Sequence, residues 1–138
     1  MRLVVDTNIL FSFFKKDSLI RELLTSFEIF ELYTPSLGIK ELLKNREEIC
    51  RKSKISESEF KEAMEDMELF VGTVPDENFK DFGSEAKKIL GEHIKDISYF
   101  ALALSLNCGI WSNEKRFKKQ SKVKIFSTED LLEILKLR

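Results

Sequence analysis

The chain has 138 residues, of which 43% are hydrophobic and 34% charged, and its net charge is −1. This is the size and composition of a single globular domain, and the charge excludes a global positive field that would attract nucleic acid. No apolar run approaches the roughly 20 residues of a membrane span, and Asp6 and Asn8 interrupt the apolar N-terminus, so we expect a cytoplasmic protein without a signal peptide.

The first half of the chain alternates short apolar runs with amphipathic stretches. In chain order we predict a strand at Arg2–Val5, helical structure over Ile9–Phe14, a helix over Ser18–Phe27, a strand at Ile29–Tyr33, and a helix that begins at Thr34-Pro35 and runs through Leu37, Glu41 and Leu42. The helices rest on apolar residues spaced three and four apart. We expect Thr34 to be the N-cap and Pro35 to lie in the first turn.

The second half continues the alternation. We predict a helix over Ser56–Phe70, opened by a capping box of Ser56 and Glu59, and a strand at Val71–Val74 that is closed by Pro75. Two further helices are predicted over Asn78–Leu90, ending at Gly91, and over Asp96–Leu106, with Gly109 just beyond. Strands at Ile110-Trp111 and Lys124–Phe126 and a terminal helix over Thr128–Leu137, capped by Ser127, complete the chain.

Strands that alternate with helices predict an α/β fold, a three-layer α/β/α sandwich around a central parallel sheet, with residues 1–138 as one domain. In such sheets ligands bind beyond the carboxyl ends of the strands. Functional residues are therefore expected directly after the strands.

Cysteine and histidine offer little chemistry. Cys50 and Cys108 belong to no metal-binding spacing such as CxxC, and we expect both to stay reduced in a cytosolic protein. The single His93 excludes any mechanism or metal site that needs two histidines.

Four acids stand at positions where a binding site is expected, and each also has an ordinary structural explanation. Asp6 follows the first strand and Asp96 starts the most apolar helix, and either can be an N-cap. Glu41 shares a helix face with the apolar Leu37, or merely edges that face. Glu114 follows Ile110-Trp111, or is a first-turn acid behind an Asn113 N-cap.

Four carboxylates at one end of a sheet would repel one another, and their pKa values would rise without cations. Carboxylates without His or Cys select hard ions, so Mg²⁺ or Mn²⁺ is expected rather than Zn²⁺. Such ions serve phosphoryl transfer, where they polarise a phosphate and activate water.

Three segments, LVVDTNILFSFF, PSLGIKELL and KDISYFALALSLNCGIWSNEKRF, together resemble PIN-domain nucleases, most of all archaeal and bacterial members related to VapC toxins. The similarity covers essentially the whole chain. It implies a parallel sheet between helices, endonucleolytic cleavage of RNA, and one or two Mg²⁺ or Mn²⁺ ions. By motif position it implies that the catalytic residues and metal ligands are Asp6, Glu41, Asp96 and Glu114.

Neighbouring polar residues have supporting roles in this interpretation. Asn8, beside Thr7, can hydrogen-bond a metal-bound water or orient Asp6, and Ser112 or Asn113 can support the fourth acid in the same way. The chain departs from the family at Glu114, where an Asp is usual. The longer side chain puts a second metal in doubt more than the nuclease activity.

The run from Lys115 to Lys124 holds six basic residues and no acid. It is the best candidate for an RNA-binding surface, formed by Lys115, Arg116, Lys118 and Lys119, although a solvated helix face is the favoured explanation for most of these lysines. A VapC-like toxin would also bind a small antitoxin. A homodimer is expected, to which an exposed Phe among Phe11, Phe13 and Phe14 can contribute if it is not in the core.

Four alternatives stay open to different degrees. A PIN-like module that binds RNA or protein without cutting is disfavoured by the intact acid set. An aspartate-based phosphatase is disfavoured because Asn8 stands where its second Asp is needed. A receiver domain is disfavoured because the single Asp6 does not supply the adjacent acids that it needs after the first strand. A stand-alone RNA-processing nuclease is as compatible with the sequence as a toxin, and a short reading frame directly upstream would distinguish them.

Overall fold

Five parallel strands form the centre of the fold. The computed structural model describes residues 1–16, 18–26, 28–91 and 93–136. Its strands are β1 (Arg2–Val5), β2 (Glu31–Pro35), β3 (Val71–Val74), β4 (Gly109–Trp111) and β5 (Ile125–Phe126). They lie in the order β3-β2-β1-β4-β5, and every neighbouring pair is parallel. The predicted parallel sheet is confirmed, and all strand carboxyl ends meet at one edge.

Eight α-helices lie between or after the described strands. They are α1 (Thr7–Phe11), α2 (Leu19–Leu24), α3 (Ser36–Lys44), α4 (Arg46–Ser53), α5 (Glu57–Met67), α6 (Gly83–Leu90), α7 (Ile97–Leu106) and α8 (Thr128–Lys136). Short 3-10 turns lie at Ser12–Phe14, Asp76–Asn78, Lys80–Phe82, Ile94–Asp96 and Lys115–Lys119. Among the described helices, none has both the length and the apolar character needed to cross a membrane.

Alternate residues of the central strands face two separate cores, as the pleat of a strand requires. Leu3 and Val5 of β1 pack in one core with residues of α1 to α5 and α8, whereas Val4 packs in the other with α6 and α7. Trp111 and Ile110 of β4 divide in the same way. Helices therefore cover both faces of the sheet, which confirms the predicted three-layer α/β/α sandwich.

The start of α3 differs from the prediction. Strand β2 begins and ends two residues later than expected, and it pairs with β3 through Pro35. Thr34 is therefore not an N-cap: it is fully buried in the strand, and its hydroxyl donates to the carbonyl of Val5 at 3.1 Å. Strand pairing overrides the capping preference here because Thr also suits a buried strand.

Other boundaries differ in smaller ways. Helix α4 was not predicted, because Ile49 is its only buried residue and its sequence shows little periodicity. The stretch expected as one helix over Asn78–Leu90 is two 3-10 turns followed by α6, and Ile9–Phe14 divides into α1 and a 3-10 turn. The predicted helix ends at Phe27 and Leu137 lie outside the described residues.

Both predicted helix starts with serine caps are confirmed. At α5 the Ser56 hydroxyl accepts from the Glu59 amide, and the Glu59 carboxylate accepts from the Ser56 amide, each at 3.0 Å. Ser127 and Asp130 exchange equivalent hydrogen bonds at the start of α8.

The three phenylalanines considered for a dimer surface differ in burial. Phe13 and Phe14 are buried in the core, whereas Phe11 is half-buried and lies near the surface.

Helix α3 approaches the sheet closely at Gly38. A β-carbon built there would lie 2.7 Å from the Thr34 hydroxyl oxygen and 3.2 Å from that of Tyr99. Both neighbours are buried. Gly38 thus allows α3, which also carries Glu41, to pack against two buried hydroxyl groups.

We expect Gly38→Ala to destabilise the protein by about 1–3 kcal/mol, because overpacking outweighs the gain of about 1 kcal/mol in helix propensity. Gly83→Ala is the matched control, since a β-carbon at the first residue of α6 meets nothing within 4 Å. Urea unfolding of both variants measures the effect. Equal stability of the two variants would contradict the close packing of α3.

Candidate active site

Asp6 and Ser112 end the two central strands side by side. The Asp6 amide donates to the carbonyl of Trp111 at 3.0 Å, which extends the pairing of β1 with β4 by one residue. The Ser112 hydroxyl donates to Oδ2 of Asp6 at 2.7 Å, and both residues are buried. Asp6 occupies the N-cap position of α1, but its side chain makes no capping hydrogen bond. Its carboxylate is thus held at the carboxyl edge of the sheet by a neighbouring strand.

Asp96 reaches the same edge from α7. It closes the 3-10 turn Ile94–Asp96 and stands at the N-cap position of α7, again without a capping hydrogen bond from its side chain. Only 8% of the residue is exposed. Helix capping thus does not explain the Asp96 side chain, whereas the Asp6 carboxylate also interacts with the backbone N–H groups of Thr7 and Asn8, which lower its pKa.

The electrostatics connect Asp6 and Asp96. Burial raises the pKa of Asp6 above its usual value, and the charge of Asp96 raises it further, whereas the hydrogen bond from Ser112 lowers it. The folded protein thus holds Asp6 in surroundings that disfavour its charge.

Glu41 of α3 belongs to this group of acids. Burial raises the pKa of Glu41, and the charges of Asp6 and Asp96 raise it further, whereas a hydrogen bond with the Thr7 side chain lowers it. The most buried residues of α3 are Gly38 and Leu42, and Glu41 itself is half-buried. The structure therefore brings together three of the four predicted acids, Asp6, Glu41 and Asp96.

A pair of buried hydroxyl groups lies among these acids. The hydroxyls of Thr7 and Tyr99 are hydrogen-bonded to each other. Burial, followed by the charges of Glu41 and Asp6, raises the pKa of Tyr99 well above its usual range, so its hydroxyl keeps its proton. The sequence interpretation did not include Tyr99. The available signal was its spacing, since Tyr99 lies three residues after Asp96 and on the same helix face.

Glu114 is connected to the other acids through Arg116. The Glu114 amide donates to the Ser112 hydroxyl oxygen at 3.0 Å, which places Glu114 next to β4. Nε of Arg116 lies 3.6 Å from Oε1 of Glu114, and Nη2 of Arg116 lies 2.6 Å from Oδ2 of Asp96. Arg116, expected at an RNA-binding surface, is thus ion-paired with two of the predicted acids.

The residues predicted to support the acids or to bind RNA lie in different environments. Asn8 is exposed, and its backbone N–H lowers the pKa of Asp6. Asn113 contacts α8: its Oδ1 accepts from the Thr128 amide at 2.8 Å, and its Nδ2 lies 3.1 Å from the Thr128 hydroxyl. Lys118 is ion-paired with Asp130 at 2.5 Å, whereas Lys115 and Lys119 are exposed on the 3-10 turn Lys115–Lys119.

The donor chemistry fits a hard divalent cation held partly by water. Across the described residues, no three His, Cys, Asp or Glu side chains are placed to hold one ion by themselves. Mg²⁺ usually keeps several waters and takes only one or two protein carboxylates, so pairs from Asp6, Glu41 and Asp96 suffice. Oδ2 of Asp96 lies 2.6 Å from Nη2 of Arg116, so the other oxygen of this carboxylate is the one that would be left for an ion.

We expect Asp6→Asn to stabilise the metal-free protein by about 1 kcal/mol at pH 7, because it removes a buried charge that Asp96 repels while its amide oxygen still accepts from Ser112. The cost of the charge is present above the raised pKa of Asp6 and absent below the usual value of 3.8, so the gain should vanish in acid. Urea unfolding in EDTA measures it. Asp76→Asn, at an exposed residue, is the control, and an Asp6→Asn variant less stable than wild type at pH 7 would contradict the repulsion.

Comparisons with known proteins agree with this architecture. A sequence profile described as the PIN domain matches residues 4–136. No curated protein sequence matches the chain. Among solved structures, the chain is similar in fold to a chain in "Crystal structure of VapBC2 from Rickettsia felis bound to a DNA fragment from their promoter". The two chains are 17% identical and superpose with a TM-score of 0.63 over 92% of this chain and 98% of the other chain. Since the profile spans nearly the whole sequence, the chain belongs to the PIN-domain family, whose members are nucleases.

Proposed function

We propose that the protein is a Mg²⁺- or Mn²⁺-dependent endoribonuclease that acts as a single cytoplasmic domain. The observation that carries the proposal is the group of three carboxylates, Asp6, Glu41 and Asp96, at the carboxyl edge of the parallel sheet. Burial and mutual repulsion raise the pKa values of Asp6 and Glu41. Such an arrangement is costly for the folded protein, and a bound cation offsets the cost.

Asp6 and Asp96 would hold the ion, and Glu41 and Glu114 would complete the site. When bound, the ion supplies polarisation of the phosphate and a lower pKa for attacking water. Ser112 fixes the orientation of the Asp6 carboxylate through its hydrogen bond at 2.7 Å, and Thr7 contacts Glu41 in the same manner.

Glu41 is suited to accept the proton of the attacking water. Its raised pKa makes its carboxylate a better base than an exposed glutamate, and it is only half-buried, so water can reach it. The water oxygen bonds to phosphorus in line with the departing 3′ oxygen, which leaves as a hydroxyl after taking a proton from solvent. No covalent enzyme intermediate is needed, so no nucleophilic Ser or Cys is required.

The RNA backbone would cross the 3-10 turn beside the acids. Lys115 and Lys119 are exposed there and form no ion pair with the described residues, so their ammonium groups can meet phosphates. Lys118 is partly neutralised by Asp130 and would contribute less.

We further propose that the protein is the toxin of a VapBC-type pair, held by a small antitoxin and itself a homodimer. The support is the likeness in fold to a chain of the VapBC2 structure. The alternative is an RNA-processing nuclease without an antitoxin. A short reading frame directly upstream that encodes a protein binding this chain would favour the toxin.

We expect Mn²⁺ to raise the melting temperature of the wild type and to support cleavage of RNA, and Asp96→Asn to abolish both. The loss in cleavage rate should exceed about 100-fold, because the replaced group would be a direct ligand. The measurements are thermal unfolding with and without Mn²⁺ and gel analysis of a labelled RNA.

Asp76→Asn is the matched control, since it makes the same change at an exposed residue that is not one of the proposed ligands. Circular dichroism checks that Asp96→Asn, which leaves Arg116 without its partner, still folds. If the wild type, freed of co-purified protein, shows no response to Mn²⁺ or Mg²⁺ and cuts no RNA, the proposal fails and a binding module takes its place.

A further inference from the structure

Arg116 lies between two of the acids that are proposed to hold metal. Its Nη2 is 2.6 Å from Oδ2 of Asp96, and its Nε is 3.6 Å from Oε1 of Glu114. One guanidinium thus faces a carboxylate from the start of α7 and another that follows β4. The guanidinium thus supplies a positive charge to both carboxylates, which is the chemistry that a second divalent ion would otherwise supply.

The contact is not an ordinary surface salt bridge. The Asp96 side chain is only 12% exposed and that of Arg116 only 33% exposed, whereas the side chains of the pair Lys52–Glu48 are 63% and 50% exposed. Nη1 of Arg116 is buried without a hydrogen-bond partner among the described residues, and so is Oδ2 of Asp96. The contact of 2.6 Å between Nη2 and Oδ2 nevertheless brings two opposite charges together in a largely buried place. A buried pair of this kind is screened little by water.

The fold holds Arg116 at this position. Its guanidinium carbon lies 5.0 Å from the ring centre of Phe117, and the buried Phe117 packs edge-on against Phe100 of α7 at 5.1 Å between ring centres. Because Phe100 and Asp96 belong to the same end of α7, the aromatic contact brings the guanidinium to the carboxylate. The basic residues beside it lack this anchor, since Lys115 and Lys119 are exposed.

We propose that Arg116 is a built-in cation that takes the place of the second metal ion, so that the site binds one divalent ion and the guanidinium supplies the other positive charge facing the scissile phosphate. This inference rests on the proposed function. Asp96 would serve both cations, with Oδ2 toward Arg116 and its other oxygen toward the ion. Glu114 then serves the guanidinium, and its extra methylene relative to aspartate gives it the reach to do so.

The charges support one ion rather than two. Asp6, Glu41, Asp96 and Glu114 carry four negative charges when ionised, and one divalent ion with Arg116 neutralises three of them. A second divalent ion would make the group positive and would lie against the guanidinium. Arg116 therefore excludes a second ion by repulsion as well as by volume.

The experiment is Mn²⁺ binding in the absence of RNA, measured by calorimetry and by electron paramagnetic resonance. We expect the wild type to bind one Mn²⁺ per chain, with the spectrum of an isolated ion. Arg116→Gln should bind two, with spectral broadening from spin coupling between neighbouring ions. Lys122→Gln removes the same charge from an exposed residue outside the proposed RNA-binding surface and should stay at one.

Two coupled Mn²⁺ ions in the wild type would overturn the inference without any variant, and so would a single ion in a folded Arg116→Gln protein. Arg116→Met, which keeps an apolar stem over Phe117, repeats the test if Arg116→Gln does not fold. If neither wild type nor variants bind Mn²⁺, the proposed metal dependence fails and this inference fails with it. If all variants bind one ion and cleave RNA, only this inference fails.

Discussion

Repulsion among carboxylates is the constraint on which the arrangement of this site depends. Asp6 and Asp96 are almost completely buried, and Glu41 is half-buried beside them. Because water screens buried charges weakly, the repulsion among these carboxylates at the carboxyl edge of the sheet destabilises the folded state. A fold that keeps them together must restrain each carboxylate and offer a place for positive charge. Both features are present here.

The restraints come from groups that the parallel sheet and its helices bring to one edge. Ser112 holds Asp6 from the neighbouring strand, Thr7 and Tyr99 lie beside Glu41, and Gly38 lets α3 pack against that hydroxyl pair. Positive charge comes from Arg116, which contacts Asp96 directly. The topology explains why residues so far apart in sequence serve one site.

Much of the fold and the positions of the acids could be predicted, because they follow from local patterns. Apolar runs predicted the strands, and the capping box at Ser56 and the cap at Ser127 predicted two helix starts. The rule that parallel strands end at one edge led to Asp6 and Glu114. Contacts between elements could not be predicted. Thr34 looked like a cap because its pairing with β3 is invisible in the sequence, and Tyr99 and Gly38 matter only once α3 and α7 meet. Arg116 looked like its exposed lysine neighbours because only Phe117 and Asp96 distinguish it in space.

Whether the acids at the carboxyl edge hold a divalent cation can be seen by anomalous diffraction from crystals grown with Mn²⁺, recorded on both sides of the manganese absorption edge. We expect an anomalous peak within bonding distance of carboxylate oxygens of both Asp6 and Asp96. Crystals at saturating Mn²⁺ with no peak at this edge, or with peaks only at exposed surface acids, would contradict it.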